Sequence, residues 1–421
     1  MVLLERFKIG LSDKRSKLAL FLAVIGPGVI TAAADNDAPG ITPYSLAGAK
    51  TGYSLLWMLL LITVSLAITQ EIGARIGLVT GKGLGGLIRE KFGIKLTTFA
   101  MLIMLIANLG TTVAEFAGVA AAMEIFGVSK YITVPAAAVV VFYAVTRWGY
   151  ERMRKLFLAS ALVYVVYVIS GALAHPDWSA AVRGMAIPTF KLDKSFLITF
   201  IATVGTTITP WGQFFIQSYA VDKKMSVREL KFARADVYFG AFLTDFIAYF
   251  IIIACAATIW KLGGAITDAK DAAVALRPLA GNFASTLFAF GLINASLLGA
   301  SILPLSSAYS TCEAFGWEAG IDHKVTEAPQ FYTLYTSFIA AGALFVLIPN
   351  LQLVPLMFLT SALNGILLPI ILIFVMKIAN DKEIMGDYVN GRTFNAIAWA
   401  TIIFIIALTF AFLAAMFLGY A

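Results

Sequence analysis

The chain has 421 residues, of which 60% are hydrophobic and only 13% charged, and its mean hydropathy is +0.87. Apolar runs of about 20 residues recur along the whole chain, which is the length that a helix needs to cross a bilayer. This composition excludes a soluble globular protein and predicts an all-α polytopic membrane protein.

The apolar runs predict eleven membrane spans, at residues 19–48, 53–79, 96–126, 130–146, 155–174, 195–221, 236–260, 280–315, 330–348, 353–377 and 393–419. Residues 1–18 are basic and amphipathic and lack a cleavage site of small residues, so we interpret them as a retained cytosolic segment. With this end inside, 22 lysines and arginines lie in cytosolic segments and 8 in outer segments, with Arg75 in the second span as the remaining one of 31. The positive-inside rule then predicts a cytosolic N-terminus, an outer C-terminus and a plasma (cell inner) membrane location. The net charge of +7 is a topology signal and does not indicate nucleic-acid binding.

The first span is broken at its centre by the run Asp35-Asn36-Asp37-Ala38-Pro39-Gly40. Ionisable groups at membrane depth are costly and normally face a cavity or a pathway, and a proline leaves backbone carbonyls without helical partners. Carboxylates and free carbonyls together predict a cation site at this break.

A second break, at residues 205–213, interrupts the sixth span around Thr209-Pro210. Breaks in spans one and six are five spans apart, and a repeat offset by an odd number of spans must be inverted. We therefore predict an inverted repeat of spans 1–5 (residues 19–174) and 6–10 (residues 195–377), with span 11 (residues 393–421) appended. Broken helices at matching positions of two such halves indicate a substrate site near the midplane.

Several motifs resemble those of the NRAMP (natural resistance-associated macrophage protein) family of divalent metal transporters. They are Gly26-Pro27-Gly28 through Ala47-Gly48, Gly52-Tyr53-Ser54-Leu55-Leu56-Trp57, Arg75-Ile76-Gly77-Leu78-Val79-Thr80-Gly81-Lys82, Ala114-Glu115-Phe116-Ala117-Gly118, Leu367-Leu368-Pro369 and Asn380-Asp381-Lys382-Glu383-Ile384-Met385-Gly386. The resemblance covers essentially the whole chain. It implies a LeuT-like fold of eleven or twelve helices that carries Mn²⁺ or Fe²⁺ inward together with protons.

The chain departs from the family pattern at the residues that would bind the metal. The family's D-P-G-N is Asp37-Ala38-Pro39-Gly40 here, and its M-P-H is Thr209-Pro210-Trp211, so an amide, a thioether and an imidazole are absent. A thioether favours transition metals, whereas Mg²⁺ is bound through one or two carboxylates and keeps several waters. This pattern resembles the divergent NRAMP-related magnesium transporters, and it predicts an all-oxygen site for a partly hydrated Mg²⁺, with Mn²⁺ as a further cargo.

Proton coupling is predicted to be weak or absent. The family's third-helix D-L-A-E is Thr112-Val113-Ala114-Glu115 here, so one acid of the presumed relay is missing together with the helix-6 histidine. Both histidines of the chain, His175 and His323, fall in polar loops. Transport would then be driven by the cation gradient and the membrane potential.

The candidate metal-site residues surround the two breaks. Asp37 is the principal ligand, directly or through water, and Gly40 leaves room for that water. Thr209 could contribute its hydroxyl, and the resemblance implies that Thr206 contributes its backbone carbonyl; for both, hydrogen bonding to the preceding turn is the alternative. In any regular turn, Asp35 and Asn36 lie on different faces from Asp37. At most one of them should therefore join Asp37 at the metal site.

A second set of candidates would line the pathway or support the site. Gln213 could bind ion-bound water or pack against a neighbouring helix. One of Ser361 and Asn364 should face the cavity. Glu115 is either a residual relay acid or a structural partner of Thr112, and Asp245 is a candidate for the inner exit path, unless a base from another helix neutralises it.

Other classes of function are weaker. A proton-coupled Mn²⁺ or Fe²⁺ importer is the main alternative, because the Asp37 and Glu115 carboxylates are both present. An amino-acid transporter of the same fold is the second alternative, although acids at the first break would repel a substrate carboxylate. The sequence does not indicate an enzyme or a cofactor, and the expected partners are the divalent cation and the lipid bilayer around a monomer.

Overall fold

The computed structural model describes residues 35–148, 164–222, 225–321 and 323–417. Within these ranges the chain forms helices and no strands: α1 (Ala38–Thr51), α2 (Leu56–Thr80), α3 (Leu84–Glu124), α4 (Lys130–Trp148), α5 (Val165–Leu173), α6 (Trp178–Ala186), α7 (Lys194–Thr207), α8 (Pro210–Asp222), α9 (Leu230–Thr258), α10 (Ala269–Ala273), α11 (Arg277–Ala280), α12 (Ala284–Phe315), α13 (Pro329–Val346), α14 (Leu353–Ala379), α15 (Lys382–Met385) and α16 (Arg392–Phe417). Short 3₁₀ turns lie at Val227–Glu229, Trp260–Leu262, Val274–Leu276, Gly281–Phe283 and Gly386–Tyr388.

Each of the eleven predicted spans contains a described helix. The cytosolic segment 1–18, the first half of span 1 and most of span 5 lie outside the described residues, so these parts of the topology stay predictions. Six helical stretches among the described residues are long and apolar enough to cross a membrane: Leu56–Thr80, Leu84–Glu124, Val227–Leu262, Ala269–Phe315, Leu353–Ala379 and Arg392–Phe417.

The two broken spans appear as half-length helices. α1 and α7 have 14 residues each and α8 has 13. At a rise of about 1.5 Å per residue each is roughly 20 Å long, which is shorter than the hydrocarbon core of about 30 Å. Each of these helices is therefore too short to cross the membrane by itself, as expected for the halves of a broken span.

The core of the molecule is α3, which packs most extensively against α12 and α14. α14 in turn packs against α7, and α1 packs against α9. The helices α7 and α14 cross where two glycines face each other: a Cβ on Gly205 would lie 2.2 Å from the backbone nitrogen of Gly365, and one on Gly365 would lie 2.4 Å from the carbonyl oxygen of Ile201. This close crossing brings the second break against α14.

Candidate cation site at the two helix breaks

The first break lies at Asn36 and Asp37, between helical Asp35 and the start of α1. Asp37 is the N-cap of α1, and its Oδ1 accepts a hydrogen bond of 2.7 Å from the backbone N–H of Gly40. Pro39 has no N–H, so the carbonyl of Asp35 cannot make its helical bond. A Cβ on Gly40 would lie 2.3 Å from that carbonyl oxygen, so only glycine fits this tight turn.

The second break repeats this chemistry between α7 and α8. Thr209 lies just before α8, and its Oγ1 accepts a hydrogen bond of 3.2 Å from the backbone N–H of Gly212. The helical partner of the Thr206 carbonyl would be the N–H of residue 210, which is a proline. Each break thus holds a capping oxygen and a carbonyl that lies four residues before a proline.

Three elements meet at one carbonyl oxygen, that of Pro39. Thr206 Oγ1 donates to it from the end of α7 at 3.0 Å, and Ser361 Oγ donates to it from α14 at 2.9 Å. Ser361 also donates to the carbonyl of Met357, at 3.1 Å. These bonds fasten the first break to the second and to α14.

Four carboxylates lie near the first break without a compensating base. Asp35, Asp37, Glu115 and Asp245 are 2%, 4%, 0% and 1% exposed, and none of them belongs to an ion pair among the described residues. Burying an unpaired charge costs several kcal/mol, so this arrangement needs protons or a cation to be stable. Among the described residues, no group of three or more His, Cys, Asp or Glu side chains surrounds a single point.

Glu115 reaches the break from α3. Its carboxylate lies beside the carboxylate of Asp37 and the backbone of Ala38. A Cβ on Gly299 of α12 would lie 2.1 Å from Glu115 Oε1, so this glycine makes room for the acid. Glu115 therefore belongs to the cluster of carboxylates at the first break.

The structure distinguishes the remaining candidates. Ser361 contacts the first break, whereas Asn364 Nδ2 donates to Thr111 Oγ1 on α3 at 2.8 Å. Thr112 does not join Glu115 at the break: its hydroxyl donates to the carbonyl of Asn108 at 2.8 Å, and its methyl group packs near Gly342.

Three further candidates are buried at or near the breaks. Gln213 is fully buried on α8, and neither polar atom of its amide has a hydrogen-bond partner among the described residues. Asn36 is fully buried at the first break. Asp245, expected on the exit path, is closed off from solvent and lies close enough to Asp35 for a direct electrostatic interaction.

Two residues near the breaks were missed by the sequence analysis. Tyr44 of α1 shares a hydrogen bond of 2.7 Å with the hydroxyl of Thr207, and so joins α1 to α7. The sulfur of Met357 lies 3.7 Å from Thr42 Oγ1. A tyrosine and a methionine inside apolar spans look like core residues, so only the contacts identify them.

An ion-pair network lies apart from the breaks, at the end of α2. Arg75 Nε lies 3.1 Å from Glu71 Oε1, and Arg234 Nε of α9 lies 2.7 Å from the same oxygen. Arg75 also donates to the carbonyl of Tyr388 and to Asn390 Oδ1, in the segment before α16. This buried network joins α2 to α9 and to the segment before α16.

The fold is shared with solved transporters. A manganese transporter of Eremococcus coleocola, in complex with an aromatic bis-isothiourea substituted compound, superposes with a TM-score of 0.76, at 18% identity over 95% of this chain and 88% of that chain. MhsT in complex with L-phenylalanine gives 0.57 at 14% identity, covering 92% and 98%. Mhp1, a nucleobase-cation-symport-1 family transporter in a closed conformation with bromovinylhydantoin bound, gives 0.54 at 16% identity, covering 94% and 91%.

These similarities define the fold class, which is the LeuT-like fold, as predicted. The model of the family described as natural resistance-associated macrophage protein-like matches residues 28–415. The chain therefore belongs to the NRAMP family, and it is a divalent metal transporter. The division into residues 19–174 and 195–377 stays a prediction.

Proposed function

We propose that this transporter carries Mg²⁺ as a partly hydrated ion, with Mn²⁺ as a further cargo, by alternating access of the two helix breaks to either side of the membrane. The N-terminus is cytosolic, the C-terminus lies outside, and the protein acts as a monomer in the plasma (cell inner) membrane. The observation that carries the proposal is the set of oxygen atoms around Asp37.

Few of these oxygens are free to bind an ion directly. Asp37 Oδ1 is engaged by the N–H of Gly40, and the Pro39 carbonyl is engaged by Thr206 and Ser361. Among the oxygens of Asp37, Pro39, Thr206 and Thr209, this leaves Asp37 Oδ2 and the Thr206 carbonyl. The Thr209 hydroxyl, which accepts a long bond from the N–H of Gly212, is a third. The set gives two or three ligands for an ion that needs about six. Mg²⁺ meets this shortage by keeping its waters, which is its usual behaviour in proteins.

The charge around the breaks favours a divalent cation. Two unit charges 4 Å apart interact by about 4 kcal/mol at an effective dielectric constant of 20, and a divalent ion doubles this to about 8 kcal/mol per carboxylate. Asp37 and Glu115 lie together, so one ion would compensate both. The same charges disfavour an amino-acid substrate, whose carboxylate they would repel.

The driving force follows from the residues at the relay positions. The Thr112 hydroxyl donates its hydrogen bond to the Asn108 carbonyl, and Trp211 occupies the position of the family's helix-6 histidine. Neither side chain can therefore carry a proton. A divalent ion moving inward across 100 mV gains about 4.6 kcal/mol, twice the value for one elementary charge. That gain is sufficient to concentrate Mg²⁺ without protons.

A proton-coupled Mn²⁺ or Fe²⁺ importer is the second candidate, and two observations favour it. Glu115 lies beside Asp37 and could exchange a proton with it. The thioether of Met357, one turn from Ser361, is a soft ligand within reach of α1. If the cargo is Mg²⁺, the Met357 sulfur does not bind the ion, and its role is the contact with the Thr42 hydroxyl.

Competition between the two ions separates the candidates. The experiment measures uptake of micromolar Mn²⁺ into proteoliposomes with and without millimolar Mg²⁺, for the wild type and for Met357→Leu. We expect Mg²⁺ to abolish Mn²⁺ uptake in both proteins equally. Mn²⁺ uptake that resists Mg²⁺ in the wild type and yields to it in Met357→Leu would establish the transition-metal importer.

A further inference from the structure

Asp245 of α9 is a buried acid that forms no ion pair within the described part of the chain. It is 1% exposed, and neither of its carboxylate oxygens has a hydrogen-bond partner there. The hydroxyl of Thr63 on α2 lies beside it but donates instead to the Leu59 carbonyl, at 2.6 Å. Helix packing therefore does not account for this charge.

The surroundings of Asp245 include the first helix break. α9 packs tightly on α1: a Cβ on Gly48 would lie 2.4 Å from the carbonyl oxygen of Ile252, two turns beyond Asp245. The carboxylate of Asp245 is within electrostatic range of the carboxylate of Asp35, and the phenols of Tyr44 and Tyr249 lie near Asp245 as well.

Asp35 is the second acid of this pair. Its Oδ1 is buried and has no hydrogen-bond partner among the described residues, like both oxygens of Asp245. Asp35 is within electrostatic range of both Asp37 and Asp245, so it connects the proposed ion site with Asp245.

We propose that Asp35 and Asp245 form a second subsite for the divalent cation, beside the one centred on Asp37. Two buried carboxylates from distant parts of the chain, with a phenol oxygen nearby, supply the hard oxygen ligands of Mg²⁺ and Mn²⁺. The subsite rests on the proposed function. Because two divalent ions so close together would repel each other, the ion occupies the two positions in turn, and the subsite is a step on its path.

The test is equilibrium binding of Mn²⁺ to the purified full chain, measured from the loss of the free-ion signal in electron paramagnetic resonance. The wild type binds one ion. Asp37→Asn should still bind one ion, at least ten-fold more weakly, and Asp37→Asn/Asp245→Asn should bind none. Asp37→Asn/Asp35→Asn is the second variant and should also bind none.

Asp37→Asn/Asp236→Asn is the matched control, because Asp236 is the other buried acid of α9. It should retain the weak site, and size-exclusion elution with thermal unfolding reports the folding of each variant. The subsite is refuted if Asp37→Asn binds no ion, or if its residual binding survives Asp245→Asn. A wild type that binds no Mn²⁺ at all would instead refute the proposed function itself.

Discussion

Asp37 has a structural role as a helix cap and a proposed role in binding the ion, and a substitution can separate the two. Its Oδ1 caps α1 through the N–H of Gly40, and its charge is proposed to bind the ion. Asparagine is as good an N-cap as aspartate, so Asp37→Asn keeps the first role and removes the second. Asp193 offers the matched case, since it caps α7 through a hydrogen bond of 2.8 Å from the N–H of Phe196.

We expect Asp37→Asn to lower Mg²⁺ uptake into proteoliposomes at least 100-fold, because the substitution removes the charge of Asp37 and replaces one of its two carboxylate oxygens with an amide NH₂ group. Its free energy of unfolding should change by less than about 1 kcal/mol, because the cap is retained. Asp193→Asn should leave both quantities unchanged. Asp37→Asn with wild-type uptake would show that this carboxylate does not bind the ion.

The residue scale also shows what sequence can reveal. Asp37, Pro39 and Pro210 stand out because acids and prolines are rare in apolar spans and have few explanations there. Asp245 and Asp35 are 210 positions apart, and their proximity follows only from the packing of α9 on α1. The side chain of Thr112 points away from the break, because the hydroxyl bonds within its own helix.

At the scale of elements, the crossing of α7 and α14 sets the position of the second break. A Cβ on Gly205 would lie 2.2 Å from both the Gly365 nitrogen and the Ser361 carbonyl oxygen. Both are backbone atoms, which cannot move aside by a rotamer change as a side chain can. Gly205→Ala should therefore lower the free energy of unfolding by about 1–3 kcal/mol, through overpacking. Thermal unfolding in detergent measures the change.

Gly110→Ala is the control for this substitution. A Cβ on Gly110 in α3 would meet nothing closer than 3.6 Å, so alanine should be neutral or stabilise the helix by up to about 1 kcal/mol. If both variants have the same melting temperature, the close crossing does not limit the packing of α7 on α14.

The ion-pair network joins α2 to α9 and to the segment before α16. Glu71 is 1% exposed and forms ion pairs with both Arg75 and Arg234. Replacing it with glutamine leaves Arg75 buried without its counter-ion, so Glu71→Gln should lower the free energy of unfolding by about 2 kcal/mol.

Glu90→Gln provides the comparison, because Glu90 pairs with Lys82 at 2.7 Å while both side chains are about half exposed. Exposed ion pairs contribute about 0–1 kcal/mol, so Glu90→Gln should have little effect on thermal unfolding. Equal losses in the two variants would mean that the buried network does not stabilise the fold.

Most of the helices could be predicted because each apolar run is long and bounded by polar residues. The breaks in spans one and six follow from proline chemistry, and the structure places them where the sequence did. The sequence could not reveal the 3₁₀ turns and short helices between α9 and α12, because they have no periodic pattern. Nor could it reveal Arg234 as a partner of Glu71, since that contact joins distant helices.

At the scale of the whole molecule, the distribution of lysine and arginine predicts the orientation. Ser179 is exposed in a predicted outer segment, and Lys382 is exposed in a predicted cytosolic one. After Cys255→Ala and Cys312→Ala, we expect Ser179→Cys in intact cells to react with a membrane-impermeant thiol reagent, and Lys382→Cys to react only after lysis. The reverse pattern would overturn the proposed orientation.

The central claim is that a hydrated Mg²⁺ moves through the two helix breaks under the membrane potential. It is tested most directly by Mg²⁺ influx into proteoliposomes under an imposed negative-inside potential, with a Mg²⁺-sensitive dye and a pH-sensitive dye inside. We predict influx that increases with the potential, is lost in Asp37→Asn, and brings in no protons when the outside is acidified. Influx that is indifferent to the potential, or that carries protons in a fixed ratio to Mg²⁺, would contradict this account.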